Sequence, residues 1–247
     1  MKRLLIAWVL SLAALIGGPA SASPEREAYI EANLIAIFYH ELAHAVIDIM
    51  GVPIYGQEED AVDVMSVLMI DRTFEEDDAQ AIAYDSAFGF LDDPEGRFDV
   101  AFWGVHGPDE QRFYNHVCLF YGANPDARAA LADDLGLPDD RAETCVEEYE
   151  LAADSWSGVF EEMAAETSGE PVRFIPSSAK AAAFTNRIVA AEVQRANDEF
   201  SFPDALTVSV EDCGEANAFY DPDDVAIVMC TELAAHLQEM FETHWRQ

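Results

Sequence analysis

The chain has 247 residues, 48 of them acidic and 13 basic, for a formal net charge of −35. This balance argues against nucleic acid and anionic membrane surfaces as partners, because a polyanion repels a strongly negative protein. It fits a solvated acidic surface that keeps an exported protein in solution.

Lys2 and Arg3 precede an apolar run from Leu4 to Ile16, and Ala20-Ser21-Ala22 has the small-x-small form that signal peptidase accepts. Residues 1–22 are therefore expected to be a cleaved secretory signal, since the run falls short of the roughly 20 apolar residues a bilayer span needs. No later segment reads as a membrane span, so no stable membrane insertion is expected after cleavage. The expected location is periplasmic or extracellular, and the sequence is silent on oligomeric state. The mature chain, residues 23–247, is long enough for one sizeable domain. Thr167–Ser178, "TSGEPVRFIPSS", is its best internal boundary, dividing candidate sub-lobes 23–166 and 167–247.

Ser23-Pro24-Glu25 predicts a helix start, with a hydroxyl cap, proline at the first position and acid at the positive end of the dipole. That helix runs to Met50 and stops at Gly51, and its apolar residues surround most of the axis, as in a centrally buried helix. Further helices are predicted from Gln57, over 76–90, 109–121, 125–134, 139–165 and 178–199, and at the C-terminus around Leu233, Leu237, Met240 and Phe241. "ALTVSVEDC" alternates like a strand, and "NAFYDPDDVAIVMC" reads as a turn and a second strand, which predicts a two-stranded hairpin. Four cysteines in an exported chain read as two disulfides with three connectivities open. Cys118 with Cys145 and Cys213 with Cys230 is the sequence-local pairing, stapling the hairpin. A cysteine zinc site is the alternative, but there is no CxxC pair. The fold class is α+β and α-rich.

His40, Glu41 and His44 form HExxH on the first helix. Four residues span about 6 Å and just over one turn, so both imidazoles lean to one side and can meet one ion. Glu41 lies about 100 degrees round the axis, placed to take a proton from an attacking water. Zinc hydrolases keep three protein ligands, so a third is expected nearby. The short turn 51–56 returns the chain and delivers Glu58, Glu59, Asp60 and Asp63 as candidates. Glu59 and Asp63 are four apart and share a face, so Glu59 can bind metal while Asp63 accepts the free ring N–H of a liganding histidine.

HELAHAVID followed by G-x-P-I-x-GQEEDAVD resembles a bacterial "putative metallopeptidase" family catalogued as a domain of unknown function, within the HExxH-plus-Glu zinc peptidases, the gluzincins. "FWGVHGPDEQRFYNHVCLFYGANPD" (Phe102–Asp126), "RAETCVEEYELAADSW" (Arg141–Trp156) and "NAFYDPDDVAIVMCTEL" (Asn217–Leu233) extend the resemblance over most of the mature chain. It implies a zincin-like fold, zinc held by His40, His44 and Glu59, Glu41 as base, and a peptide or protein substrate. Two departures stand out. The NAFYDP segment lies at the C-terminus, where the family pattern has it ahead of HExxH, so the order reads as a circular permutation, and Thr231 stands where many relatives carry tyrosine. Zincins set an edge strand beside the active-site helix, and here it would come from the C-terminal hairpin.

His106 with Asp109 is a candidate stabiliser of a developing oxyanion, with Arg112 and Tyr114 as further candidates. His116, His236 and His244 are expected at the surface, with Glu232 and His236 spaced like an ion pair. "FEEDD" (Phe74–Asp78) lacks the glycine and ligand alternation of a calcium loop and reads as a solvated helix start. The same zinc ligands would also serve a catalytically idle secreted binding or scaffold protein with a structural zinc. A complete shell of four protein ligands marks that alternative, and an open position in a cleft marks an enzyme.

Overall fold

A computed structural model gives the protein over residues 23–91, 102–164 and 169–244. The expected signal segment 1–22 and the side chain of His244 lie outside the described residues.

Helix α1 (Pro24–Met50) begins where the sequence predicts: Ser23 Oγ accepts the Arg26 N–H at 3.2 Å. It ends at Gly51, whose φ of 61° is a left-handed conformation that glycine adopts without strain, and the Val52 N–H closes the last turn on the Ile47 carbonyl at 2.9 Å. Leu34, Phe38, Leu42 and Val46 are each 0% exposed. They are enclosed because α1 is flanked by elements from both ends of the chain. These are α2 (Glu58–Thr73) and α3 (Glu76–Ala87) before the middle, and α7 (Ala183–Glu199), β3 (Ala218–Asp221), β4 (Ala226–Cys230) and α8 (Leu233–His244) after it. By length and composition α1 could cross a membrane, a helix the sequence reading passes over. Its 18-residue apolar window is 61% buried, which gives it the character of a core helix.

The chain then forms α4 (Asp109–Ala123), α5 (Pro125–Asp134) and α6 (Asp139–Glu162). The third predicted helix stops early and tightens into a 3-10 turn at Phe88–Leu91. Helices α4 and α6 approach so closely at Gly122 that a β-carbon there would collide with the Cys145 carbonyl. The Cys118–Cys145 disulfide joins the same two helices, and Cys213–Cys230 is the other pair. Each closes a loop worth about 3 kcal/mol in the chain-entropy view.

The predicted two-stranded hairpin is corrected. Strands β1 (Arg173–Ile175), β2 (Thr207–Glu211), β3 and β4 form a four-stranded sheet in the order β1-β2-β4-β3. "TVSVE" and "AIVMC" are parallel neighbours, with Val208 beside Ile227. A parallel pair needs a crossover connection, and the connection here is itself a strand. Residues "AFYD" turn back antiparallel to β4, with Phe219 beside Val228, leaving β3 at the sheet edge against α1. The turn between them is set by Asp221 Oδ1, which accepts the Asp223 N–H at 2.9 Å.

One buried cation ties the helical layer together. Arg128, 3% exposed, reaches Asp71 at 2.6 Å, Glu76 at 2.8 Å and the Phe120 carbonyl at 2.9 Å, while Tyr149 donates to Asp71 at 2.6 Å. Arg128→Leu strands two carboxylates. Glu76 is 37% exposed and recovers part of its hydration, so the expected loss is about 2 to 3 kcal/mol, at or below the range for breaking a fully buried pair. It should appear as a lower urea midpoint with unchanged slope.

Candidate metal centre

The short turn after Gly51 lays α2 alongside α1, so the first turn of α2 faces the HExxH stretch. His40 and His44 project from the same side of α1, with ring centroids 5.1 Å apart. Both present Nε2 to one atom, Oε2 of Glu59, at 3.3 Å and 3.5 Å. His106 Nε2 approaches the same oxygen at 2.9 Å, and the donor atoms of His40, Glu59 and His106 all lie within 4.8 Å of one another.

The outer nitrogens of the HExxH rings are also held. His40 Nδ1 meets Asp63 Oδ1 at 2.9 Å and His44 Nδ1 meets Glu58 Oε1 at 2.8 Å. A carboxylate on Nδ1 fixes the proton there and leaves the Nε2 lone pair bare and aimed inward. Asp63 is in turn gripped by Arg112, whose Nε and Nη2 donate to Oδ2 and Oδ1 at 2.7 and 2.9 Å, with the guanidinium 4.8 Å over the Phe90 ring. Arg112 is thus occupied as a support and is not free as an oxyanion stabiliser. Asp63 meets the outer nitrogen of His40 while Glu59 faces the inner nitrogens of both rings, and Glu58 and Arg112 were not foreseen as supports.

These residues fit a divalent cation. Glu59 Oε2 is buried and lacks a hydrogen bond of acceptable geometry although three imidazole nitrogens surround it. Buried carboxylate oxygens are normally paired, and a ring of inward lone pairs around one is a cation's donor set. Without metal, protons fill the role. Burial pulls the His40 pKa down, but its hydrogen bond to Asp63 and the nearby Glu59 carboxylate outweigh that and hold it at about 9. His44 is raised as well, burial being outweighed by Glu59 and Glu58. Glu59 is lowered by His40 and His44, and Asp63, despite burial, is drawn to about 2 by Arg112 and His40.

Glu41 is 7% exposed, and burial raises its carboxyl against the pull of His40 and His44. The backbone N–H of Tyr220 on β3 faces the same carboxyl and acts to lower it. Tyr220 Oη itself donates to Asp48 at 2.7 Å. Glu41, the histidines and β3 line a cleft of about 960 Å³ with apolar walls from Ile37, Leu237 and Met240.

Of the remaining histidines, His106, expected with Asp109 as a stabiliser of a developing oxyanion, directs its Nε2 at Glu59, and two others depart from the surface positions expected of them. His116 is 7% exposed rather than at the surface. The inner face of α4 carries it between Phe90 and Phe120, where its Nε2 is 3.2 Å from Ser86 Oγ and 3.2 Å from the Ala83 carbonyl. Burial lowers it to about 4, so it stays neutral. His236 is half-buried in the cleft wall, and Glu232 accepts the backbone N–H groups of Cys213 and Gly214. Tyr114 is exposed.

A family model described as "Putative metallopeptidase" matches residues 12–160 and 177–247. No curated protein and no solved structure matches the chain.

Two outcomes follow from the geometry. A histidine held at about 9, above its ordinary 6.5, adds stability that is complete below pH 6.5 and is lost as pH rises through 9. The chelator-treated protein should therefore lose about 3 kcal/mol over that window, and a melting temperature flat across it would refute the charged state of His40. Arg112→Gln frees Asp63 and should weaken divalent-metal affinity about 10- to 100-fold, read by competition with a chromophoric chelator.

Proposed function

The chain belongs to the "Putative metallopeptidase" family, and from that premise we propose that it is an exported zinc-dependent peptidase of the gluzincin type. His40, His44 and Glu59 would hold the metal and Glu41 would be the general base. The observation that carries this reading is the single buried oxygen of Glu59 facing Nε2 of both HExxH histidines, whose other nitrogens are tied to carboxylates. Zinc held there supplies a Lewis acid that polarises a peptide carbonyl and makes water nucleophilic near neutral pH. Imidazole and carboxylate donors suit zinc, which tolerates an open fourth position.

The chain's own groups do the rest. Glu41 sits beside the two histidines with its pKa raised by burial, which suits it to take a proton from water near neutrality and return it to the departing amine. The Tyr220 N–H favours the ionised carboxylate in which Glu41 starts and to which it returns. Edge strand β3 lines the cleft, where an extended peptide would lie along it. Ile37, Leu237 and Met240 give the peptide an apolar side-chain site. Two disulfides agree with an oxidising, exported setting.

The test is Glu41→Gln. It keeps the size and polarity of the side chain but cannot accept the proton, so zinc content should match the parent while peptide hydrolysis falls about 10²- to 10⁴-fold. His44→Ala should lose the metal as well. Full activity in Glu41→Gln would exclude the base assignment.

A further inference from the structure

Of the groups around Glu59, His106 is held differently from the others. His40, His44 and Glu59 ride on packed helices, with side chains 15%, 15% and 18% exposed. His106 lies in the irregular segment 102–108, its side chain is 48% exposed, and no residue of that segment is buried. Its neighbours Phe102 and Trp103 are 82% and 85% exposed. Yet its Nε2, at 2.9 Å, is nearer to Glu59 Oε2 than either HExxH ring.

Building on the peptidase reading above, we propose that His106 is a fourth protein donor that closes the metal centre at rest and is displaced when substrate enters. Four donors, His40, His44, Glu59 and His106, fill a tetrahedral shell, whereas hydrolysis requires one position open. Of the four, His106 is the one that can leave at small cost. The other three are fixed by helix packing, and both HExxH rings by hydrogen bonds at Nδ1, while segment 102–108 has neither helix nor strand and no buried residue. Phe102 and Trp103, four and three residues before His106 on the same segment, expose apolar side chains. An arriving peptide can bury them as the segment moves outward, which couples substrate binding to release of the ligand.

The experiment uses the mature chain reconstituted with cobalt(II), with azide as a small probe of an open position, and compares the parent with His106→Ala and His106→Gln. The parent should show the intense visible absorption of a four-donor centre and ignore azide. Both variants should show weaker absorption that shifts with azide, and should bind cobalt at least about tenfold more weakly. Zinc-loaded variants should hydrolyse a mixed peptide library at least as fast as the parent. Identical spectra and azide responses in parent and variants would overturn the donor assignment. Open spectra with hydrolysis tenfold below the parent would show that His106 takes part in the reaction, overturning displacement. Expected spectra with no hydrolysis by any protein would remove displacement together with the peptidase reading, while His106 stood as a donor. Unchanged near-ultraviolet circular dichroism in either variant secures the comparison against misfolding.

Discussion

The centre depends on one carboxylate oxygen kept out of water opposite imidazole nitrogens. Desolvating an ionised carboxylate costs several kcal/mol unless it is compensated, and among the described residues no guanidinium or backbone amide is hydrogen-bonded to Glu59 Oε2. Compensation comes from the histidines, and so from whatever positive species sits between them. The α1–α2 pairing enforces this. Gly51 ends α1 abruptly, seven residues turn the chain, and the first turn of α2 has no other place to put Glu59 than against the HExxH face.

The two HExxH rings are supported unequally. His40 leans on Asp63, which Arg112 holds from the far side in a bidentate grip beneath Phe90, so its orientation is built into the packed interface of α1, α2 and α4. His44 leans on Glu58, 52% exposed at the start of α2, where water competes for the same bond. One ring is thus set by the core and the other by the rim, and α2 gains a graded role. Its second turn fixes the ligand geometry from inside, while its first turn adjusts it from solvent.

Much of this was legible in the sequence, because the decisive spacings are local. The i, i+4 interval of His40 and His44, the glycine-bounded turn and the i, i+4 interval of Glu59 and Asp63 all act within 24 residues, where helix geometry alone decides which side chains meet. The disulfide pairing was legible too, since both bridges close short loops. The misses are long-range. Nothing local to Asp63 announces Arg112, 49 residues on, and His106 sits in a stretch with no period to say where it points. His116 was misplaced because a polar residue on a helix was assigned to solvent, while Phe90, which helps enclose it, arrives from a separate turn. The sheet was misread in direction: β2 and β4 do pair, but β3 lies between them in sequence and turns the chain, so they pair parallel and not as a hairpin.

Helix α1 is shared between early and late parts of the chain, and its two functional faces are completed at different moments. The histidine face of the centre is built from residues 40–63 together with His106 and Arg112, all supplied by the first half of the chain. The face of Glu41 waits for Tyr220, carried by a strand that pairs with β4 and is anchored through the Cys213–Cys230 bridge. On the proposed reading, acquisition of an ion and acquisition of a base would therefore be separable in time. A chain whose last disulfide has not yet formed would hold an ion before it had any means of using it.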